Sequence, residues 1–301
     1  MIVVTYNSAL TIEKCLSSIP PYTEVIVVDQ QSSDETADMI LRTRPSAHLI
    51  RAGANRGFGA GCNLGAANAS CGVLIFLNPD AYFHENCLEI LSVAAVRHGV
   101  VGPTILGPKA DDQTRVRNWS SMFMDLADIV WPQRPFIGIR LRDVPASKDI
   151  YRTGGEVPYV QGSCMAIRAD NFWAVGGFDE EYFLYYEEET LARKLQLIGL
   201  SAALEPAAQV THVGGVSTSQ AGTFAVTQMY RSKALFYRSY YSPLRSFIFS
   251  CALWLLLELM SVATPLRRLI GLRADRDSAY FHTAANGVIE GRRGRIVRPP
   301  A

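Results

Sequence analysis

Four short runs of apolar residues punctuate the N-terminal part of the chain: IVVT (Ile2 to Thr5), EVIVVD (Glu24 to Asp29), AHLIRA (Ala47 to Ala52) and GVLIFLN (Gly72 to Asn78). Each is nearly uninterrupted, the pattern of a strand covered on both faces, and stretches of helical character separate them. This alternation predicts βαβ units and a mostly parallel sheet flanked by helices. Ser32 and Glu35 stand at capping-box spacing, which predicts a helix start after the second run. The fourth run stops at Asn78-Pro79-Asp80, because a proline has no N–H to give a central ladder. Asp80 therefore lies just past a strand's carboxyl end, the edge where open α/β sheets bind ligands. The first two runs deliver Thr5-Tyr6-Asn7 and Asp29-Gln30-Gln31 to that same edge. A lone Asn-Pro-Asp more often makes an Asx turn than a site, so the rest of the chain has to decide.

Further along, EYFLYYEEETLARKLQLIGL carries Leu184, Glu188, Leu191, Leu195 and Ile198 at intervals of four, three, four and three. That spacing predicts a helix with Glu188 on its apolar face, where desolvation raises a carboxyl pKa toward the range of a general base. Glu187 and Glu189 read as solvated acids of a first turn, with Glu189 in an exposed pair with Arg193. His212, after a short strand-like run and before a Gly-Gly turn, gains interest only from what stands near it. The glycines of ANRGFGAGCNLGAAN (Ala54 to Asn68) superficially resemble a dinucleotide fingerprint, but two strand–helix units precede them. They also suit a helix packed closely on a sheet, or a helix N-terminus that donates to a phosphate or sugar.

Composition narrows the classes. The 301 residues carry 29 Lys+Arg against 28 Asp+Glu, a net charge of +1, so no global field recruits nucleic acid. Cys15, Cys62, Cys71, Cys87, Cys164 and Cys251 form no CxxC pair, which predicts reduced thiols in a cytosolic setting. MIVVTYN, with no basic region before its apolar run, reads as a strand and not as a secretory leader. The segment from about Gly107 to Tyr159 is weakly periodic and reads as an excursion able to cover a substrate. Ser246 to Pro265 is long and apolar enough to cross a bilayer, yet contains Glu258 and is flanked by Arg245 and by Arg267-Arg268. A buried helix and an interfacial helix compete for it, and the interfacial form is favoured over a full span.

Six stretches, in order, carry a family resemblance: IVVTYNSALTIEKCLSSI, VIVVDQQSSDET, NRGFGAGCNLG, FLNPDAYF, GGFDEEYFLYYEEETLARKLQLIG and VTHVGGVST. The set resembles family 2 glycosyltransferases of the GT-A fold, in particular the rhamnosyltransferase-like branch that builds cell-envelope polysaccharides. The resemblance covers about residues 1 to 240. It implies a Rossmann-like nucleotide-diphospho-sugar transferase with a nucleotide-sugar half (1–105) and an acceptor and catalytic half (106–240), to which the apolar run and its Arg flanks add a helical, membrane-associating tail (241–301).

By the same resemblance, Asp80 of NPD takes the place of the DxD acid that holds a divalent metal (Mn2+ or Mg2+), with His212 as a further ligand. Thr5, Tyr6, Asn7 and Asp29 match positions that cradle the nucleoside, Asp29 being suited to accept from a pyrimidine N3–H. Asn55, Gly57, Asn63 and Asn78 match the diphosphate and sugar side. Gly162, Asp179 and Glu187 fall on the acceptor side, and Glu188 at the general base of an inverting transfer. The partners implied are a dTDP- or UDP-linked sugar, a lipid-linked or glycan acceptor and the cytoplasmic face of the plasma membrane. Gln30-Gln31 and Thr190 depart from the family pattern. An oxidoreductase using the Gly-rich loop and an inactive nucleotide-sugar-binding relative are the alternatives.

Overall fold

The structure, a computed structural model, describes residues 1–130, 149–214, 216–269 and 276–294. Its first half runs β1 (Ile2–Thr5), α1 (Ile12–Ser17), β2 (Ile26–Asp29), α2 (Thr36–Thr43), β3 (His48–Arg51), α3 (Phe58–Ala67), β4 (Val73–Leu77), β5 (Ala81–Phe83), α4 (Cys87–Ala94) and β6 (Val100–Leu106). There follow α5 (Met122–Val130), α6 (Ile150–Thr153), β7 (Gly155–Val157), β8 (Cys164–Arg168), α7 (Ala169–Ala174), α8 (Glu187–Leu197), β9 (Ala202–His212), α9 (Val216–Tyr240), α10 (Pro243–Leu269) and α11 (Ser278–Arg293). The four apolar runs are β1 to β4, joined in parallel in the order β3-β2-β1-β4. Beyond β4 the sheet continues β8-β6-β9-β5, with β8 antiparallel to β4 and β5 antiparallel to β9.

Two compact units divide the chain. The first comprises Met1–Asn118, Val144–Glu180 and Glu187–Gln220 and contains the sheet. Its core packs Val3, Val27, Ile75, Leu77, Cys164 and Ala166 against α1 and α4. On the other face α3 lies so close that a Cβ on Gly61 would stand 2.6 Å from Val4 Cγ1, and one on Gly65 2.5 Å from Ile2 Cγ2. The glycines of the Gly-rich run thus let a helix approach β1.

The second unit comprises Trp119–Asp143, Glu181–Tyr186 and Ala221–Ala301. Aromatic rings dominate its core, among them Tyr186, Tyr230, Phe236, Tyr237 and Phe281. Asp125, 1% exposed, accepts from the Tyr237 hydroxyl at 2.8 Å and lies 3.2 Å from Lys233 Nζ. Helices α10 and α11 run antiparallel: Ser261 donates to Ser278 O, Glu258 meets His282, and Arg292 reaches back to Cys251.

Three sequence expectations change. Ser32 and Glu35 form no capping box: α2 starts at Thr36 with no side-chain cap from Glu35, because Ser32 Oγ is taken by Asp29 and by Asn7 N. Strand β3 is not covered on both faces but is a half-exposed edge. The weakly periodic Gly107 to Tyr159 segment includes α5, α6 and β7; its residues 131–148 lie outside those described, as do the side chains of Arg267 and Arg268.

Candidate active site

Strand register assembles the polar residues at the carboxyl edge. β1 pairs with β2 so that Thr5 stands opposite Asp29. The Asp29 carboxylate, 4% exposed, accepts from Thr5 Oγ1 at 3.1 Å, from Ser32 N at 3.3 Å and from Ser32 Oγ. These contacts hold Thr5 and Ser32 in place and leave Oδ2 with acceptor capacity to spare. Tyr6 and Asn7 are half-buried beyond the strand end. Asn7 has φ +50° and its Oδ1 accepts from Ser33 N at 2.8 Å. One strand over, Gln30 N donates to Thr5 O and Gln30 Oε1 accepts from Arg56 N at 3.0 Å. The departure Gln30 thereby pins the Asn55-Arg56-Gly57 turn, in which Asn55 Oδ1 accepts from Gly57 N and Gly57 has φ +98°.

Asn63, on α3, faces the Gly177-Phe178 turn. Its Oδ1 accepts from Phe178 N at 2.9 Å, while its Nδ2 donates to Phe178 O at 2.9 Å and to Glu180 Oε1 at 3.0 Å. Both ends of the amide are engaged in clamping the segment that carries Asp179. Glu180 also pairs with Arg56 at 2.7 Å, and Lys194 Nζ donates to Gly177 O at 2.5 Å. Burial pulls the Lys194 pKa down against an opposing pull from Asp179.

Asp80 and His212 meet because β5 pairs with β9, placing Ala81 opposite His212 and letting Val213 N donate to Asp80 O at 2.9 Å. His212 Nε2 stands 3.1 Å from Asp80 Oδ1, with side chains 23% and 8% exposed. Two cis ligands of an octahedral Mg2+ or Mn2+ with bonds of about 2.1 Å lie about 3 Å apart, so the pair fits such an ion. Among the described residues no group of three or more His, Cys, Asp or Glu gathers into a metal cage. A cation here would be completed by phosphate oxygens and water, as hard divalent ions usually are.

The acid run behaves differently from its sequence pattern. Helix α8 begins at Glu187, so Leu184 precedes it, and Ile198 is 50% exposed. Glu187 and Glu189 are the buried acids, at 3% and 2% exposure, while Glu188 is half-buried. Glu187 packs beside Gly59, its Cγ 3.6 Å from where that residue's Cβ would be. Glu189 forms a largely buried pair with Arg193 at 3.4 Å, not an exposed one. Glu188 overhangs Gly162: a Cβ there would lie 3.8 Å from Glu188 Cδ and Oε2.

The β4–β8 register runs one step past the strands, with Asn78 N donating to Ser163 O at 2.9 Å. This bond links the Asn78-Pro79-Asp80 turn to the Gly162-Ser163 backbone beneath Glu188. Ser163 Oγ is buried and has no hydrogen-bond partner among the described residues. Sequence reasoning passed over Ser163 and Glu180, placed Gln30 at this edge without its bond to Arg56, and gave Ser32 a capping role in place of its bonds to Asp29 and Asn7.

The family model described as Glycosyl transferase family 2 matches residues 1–176. The chain belongs to this family. An N-acetylglucosaminyl-diphospho-decaprenol L-rhamnosyltransferase of Mycobacterium tuberculosis is 28% identical over 244 residues, 73% of this chain and 77% of that one. A rhamnosyltransferase of Escherichia coli is 24% identical over 212 residues, 64% and 78% of the two chains. Among solved structures, a mannosyltransferase of Pyrobaculum calidifontis in complex with GDP-Man and Mn2+ matches with a TM-score of 0.52 at 18% identity, over 97% of this chain and 84% of that one. The glycosyltransferase therefore has the GT-A fold, a mixed α/β sheet flanked by helices, with an apolar C-terminal helix.

Proposed function

We propose that this family 2 glycosyltransferase is an inverting, metal-dependent enzyme. It moves a sugar, rhamnose by preference, from a dTDP- or UDP-linked donor to a lipid-linked or glycan acceptor at the cytoplasmic face of the plasma membrane. The observation that carries this reading is the link from Asp80 and His212 through Asn78 and Ser163 to Glu188 over Gly162. The rhamnosyltransferase relatives support the choice of sugar and, in one case, of acceptor.

In the proposed reaction Glu188 takes the proton of an acceptor hydroxyl as that oxygen bonds to the anomeric carbon. The bond from that carbon to the diphosphate breaks, and the electron pair leaves with the nucleoside diphosphate. One base and one leaving-group site are what an inverting displacement requires, whereas a retaining glycosidase needs two carboxylates flanking the sugar. A divalent cation on Asp80 and His212 would neutralise the charge of the departing diphosphate. Thr5, Asn7 and the Asn55–Gly57 turn would bind the nucleoside and diphosphate. Asp29 and Asn63 would hold these walls in place, and Asp179 and Glu187 would shape the acceptor side.

The test is turnover of dTDP-rhamnose with a polyprenyl-diphosphate-linked N-acetylglucosamine, with and without Mn2+, and NMR of the product's anomeric configuration. Transfer with inversion that chelation abolishes is the expected result. Retention, or transfer indifferent to chelation, overturns the corresponding part of the proposal.

A further inference from the structure

Among the described residues α10 is the one helix long and apolar enough to cross a membrane. It uses only one side inside its own unit. Phe249, Leu253 and Leu257 are at most 3% exposed and share a cluster with Phe281, Ala284 and Val288 of α11. The opposite side is equally apolar but faces out: Leu244, Phe247, Ile248, Leu255, Leu259 and Val262 are 50–77% exposed. Their spacing in threes, fours and sevens makes one continuous stripe along the helix. The acid on that stripe, Glu258, has Oε1 3.2 Å from His282 Nδ1, so the carboxylate has a polar partner on α11.

The antiparallel partner decides between crossing a bilayer and lying on it. α11 follows α10 from Ser278 beside Ser261 to Arg292 beside Cys251. A span by α10 would carry His282, Glu290, Arg292 and Arg293 into hydrocarbon, where charged groups are costly. On the surface the same residues sit at headgroup level. The Arg292 guanidinium lies 4.3 Å from the Phe247 ring and donates to Cys251 Sγ at 3.6 Å, laid along the edge of the apolar stripe. Arg245, on α10 itself, and Arg293, next to Arg292 on α11, are exposed as well. An apolar face with cations at its rim is complementary to acyl chains below a layer of lipid phosphates.

We infer that the outward face of α10, rimmed by Arg245, Arg292 and Arg293, docks flat on a bilayer that contains anionic phospholipid. This deepens the proposed function, in which the acceptor is lipid-linked, but its test needs no turnover. The full-length protein is sedimented with vesicles of phosphatidylcholine alone or mixed with phosphatidylglycerol, at low and high salt, and the pellets are washed with alkaline carbonate. The expected result is binding to the anionic vesicles that weakens with salt and is released by carbonate. A Leu255→Glu, Leu259→Glu double variant, altered at exposed positions, should keep its thermal midpoint and lose vesicle binding by roughly tenfold or more. Arg292→Gln should reduce the preference for anionic lipid.

Four results would overturn the inference: no binding to either vesicle, binding indifferent to the double variant, resistance to carbonate, or a lipid-free dimer that the double variant dissociates. The last would assign the face to a second copy of the chain. Nucleotide binding measured by calorimetry on the same samples separates the two readings. Vesicle binding without it leaves the docking inference standing and removes the enzymatic one.

Discussion

Three consecutive glutamates meet three environments on α8, and their substitutions should separate accordingly. Glu188, half-buried over Gly162, is the proposed base. Glu188→Gln keeps shape and hydrogen bonding but cannot take a proton, so turnover should fall about 10²–10⁴-fold with donor affinity unchanged, as single-turnover rates and calorimetry would show. Near-native turnover in that variant would remove the assignment. Glu189→Ala should instead cost stability, about 1–3 kcal/mol by denaturant unfolding, because it leaves Arg193 with a lost partner in a largely buried site. Asp80→Asn should abolish the Mn2+ dependence of nucleotide-diphosphate binding while leaving the thermal midpoint nearly unchanged; retained dependence would place the ion elsewhere. Burial pushes the Cys15, Cys62 and Cys164 thiols well up, and Cys87 up to about 12. Iodoacetamide at pH 8 should therefore label exposed Cys71 in the native protein and leave those four for the unfolded one, as peptide mass spectrometry would report. At this scale the sequence exposed Asp80, since Pro79 ends its strand. It hid the burial of Glu187 and Glu189, which depends on where α8 starts, something periodicity does not encode.

Elements tell a similar story of what a linear pattern can hold. β1, β2 and β4 were readable because parallel strands covered by helices are continuous in apolar residues, and the half-exposed edge β3 by its short Leu49-Ile50 run between two helical stretches. The later additions were not: β5 and β7 are three residues each, too short for any period, and β8 and β9 find their places by pairing distant in sequence, antiparallel to β4 and parallel to β6 respectively. The contact of Asp80 with His212 was therefore legible only through family resemblance, since the β5–β9 ladder makes it. Helix α3 had two readings, a phosphate-binding fingerprint or a close-packed helix, and packing is seen directly. Gly61→Ala should destabilise the protein by about 1–3 kcal/mol, because the added methyl would meet Val4 at 2.6 Å with β1 fixed behind it. Equilibrium denaturation measures this, and an unchanged midpoint would mean that α3 can shift.

For the whole molecule, a net charge of +1 conceals a local gathering of arginines beside α10, which composition could not reveal. The sequence left the apolar tail between a buried and an interfacial helix, and α10 supplies Phe249, Leu253 and Leu257 to the same core as Tyr186, Tyr230 and Phe236. Truncation at Ser242 should accordingly yield a chain that aggregates or binds a hydrophobic dye, in contrast to a soluble, monomeric domain with a sharp melting transition, which would show the tail to be dispensable. The outward stripe of α10 has a kinetic consequence as well. An enzyme lying on the bilayer that holds its acceptor searches for it in two dimensions, so the encounter rate follows acceptor molecules per unit area and not per unit volume. Adding inert lipid at constant bulk acceptor should then slow the reaction, a surface-dilution effect that a freely dissolved enzyme would not display.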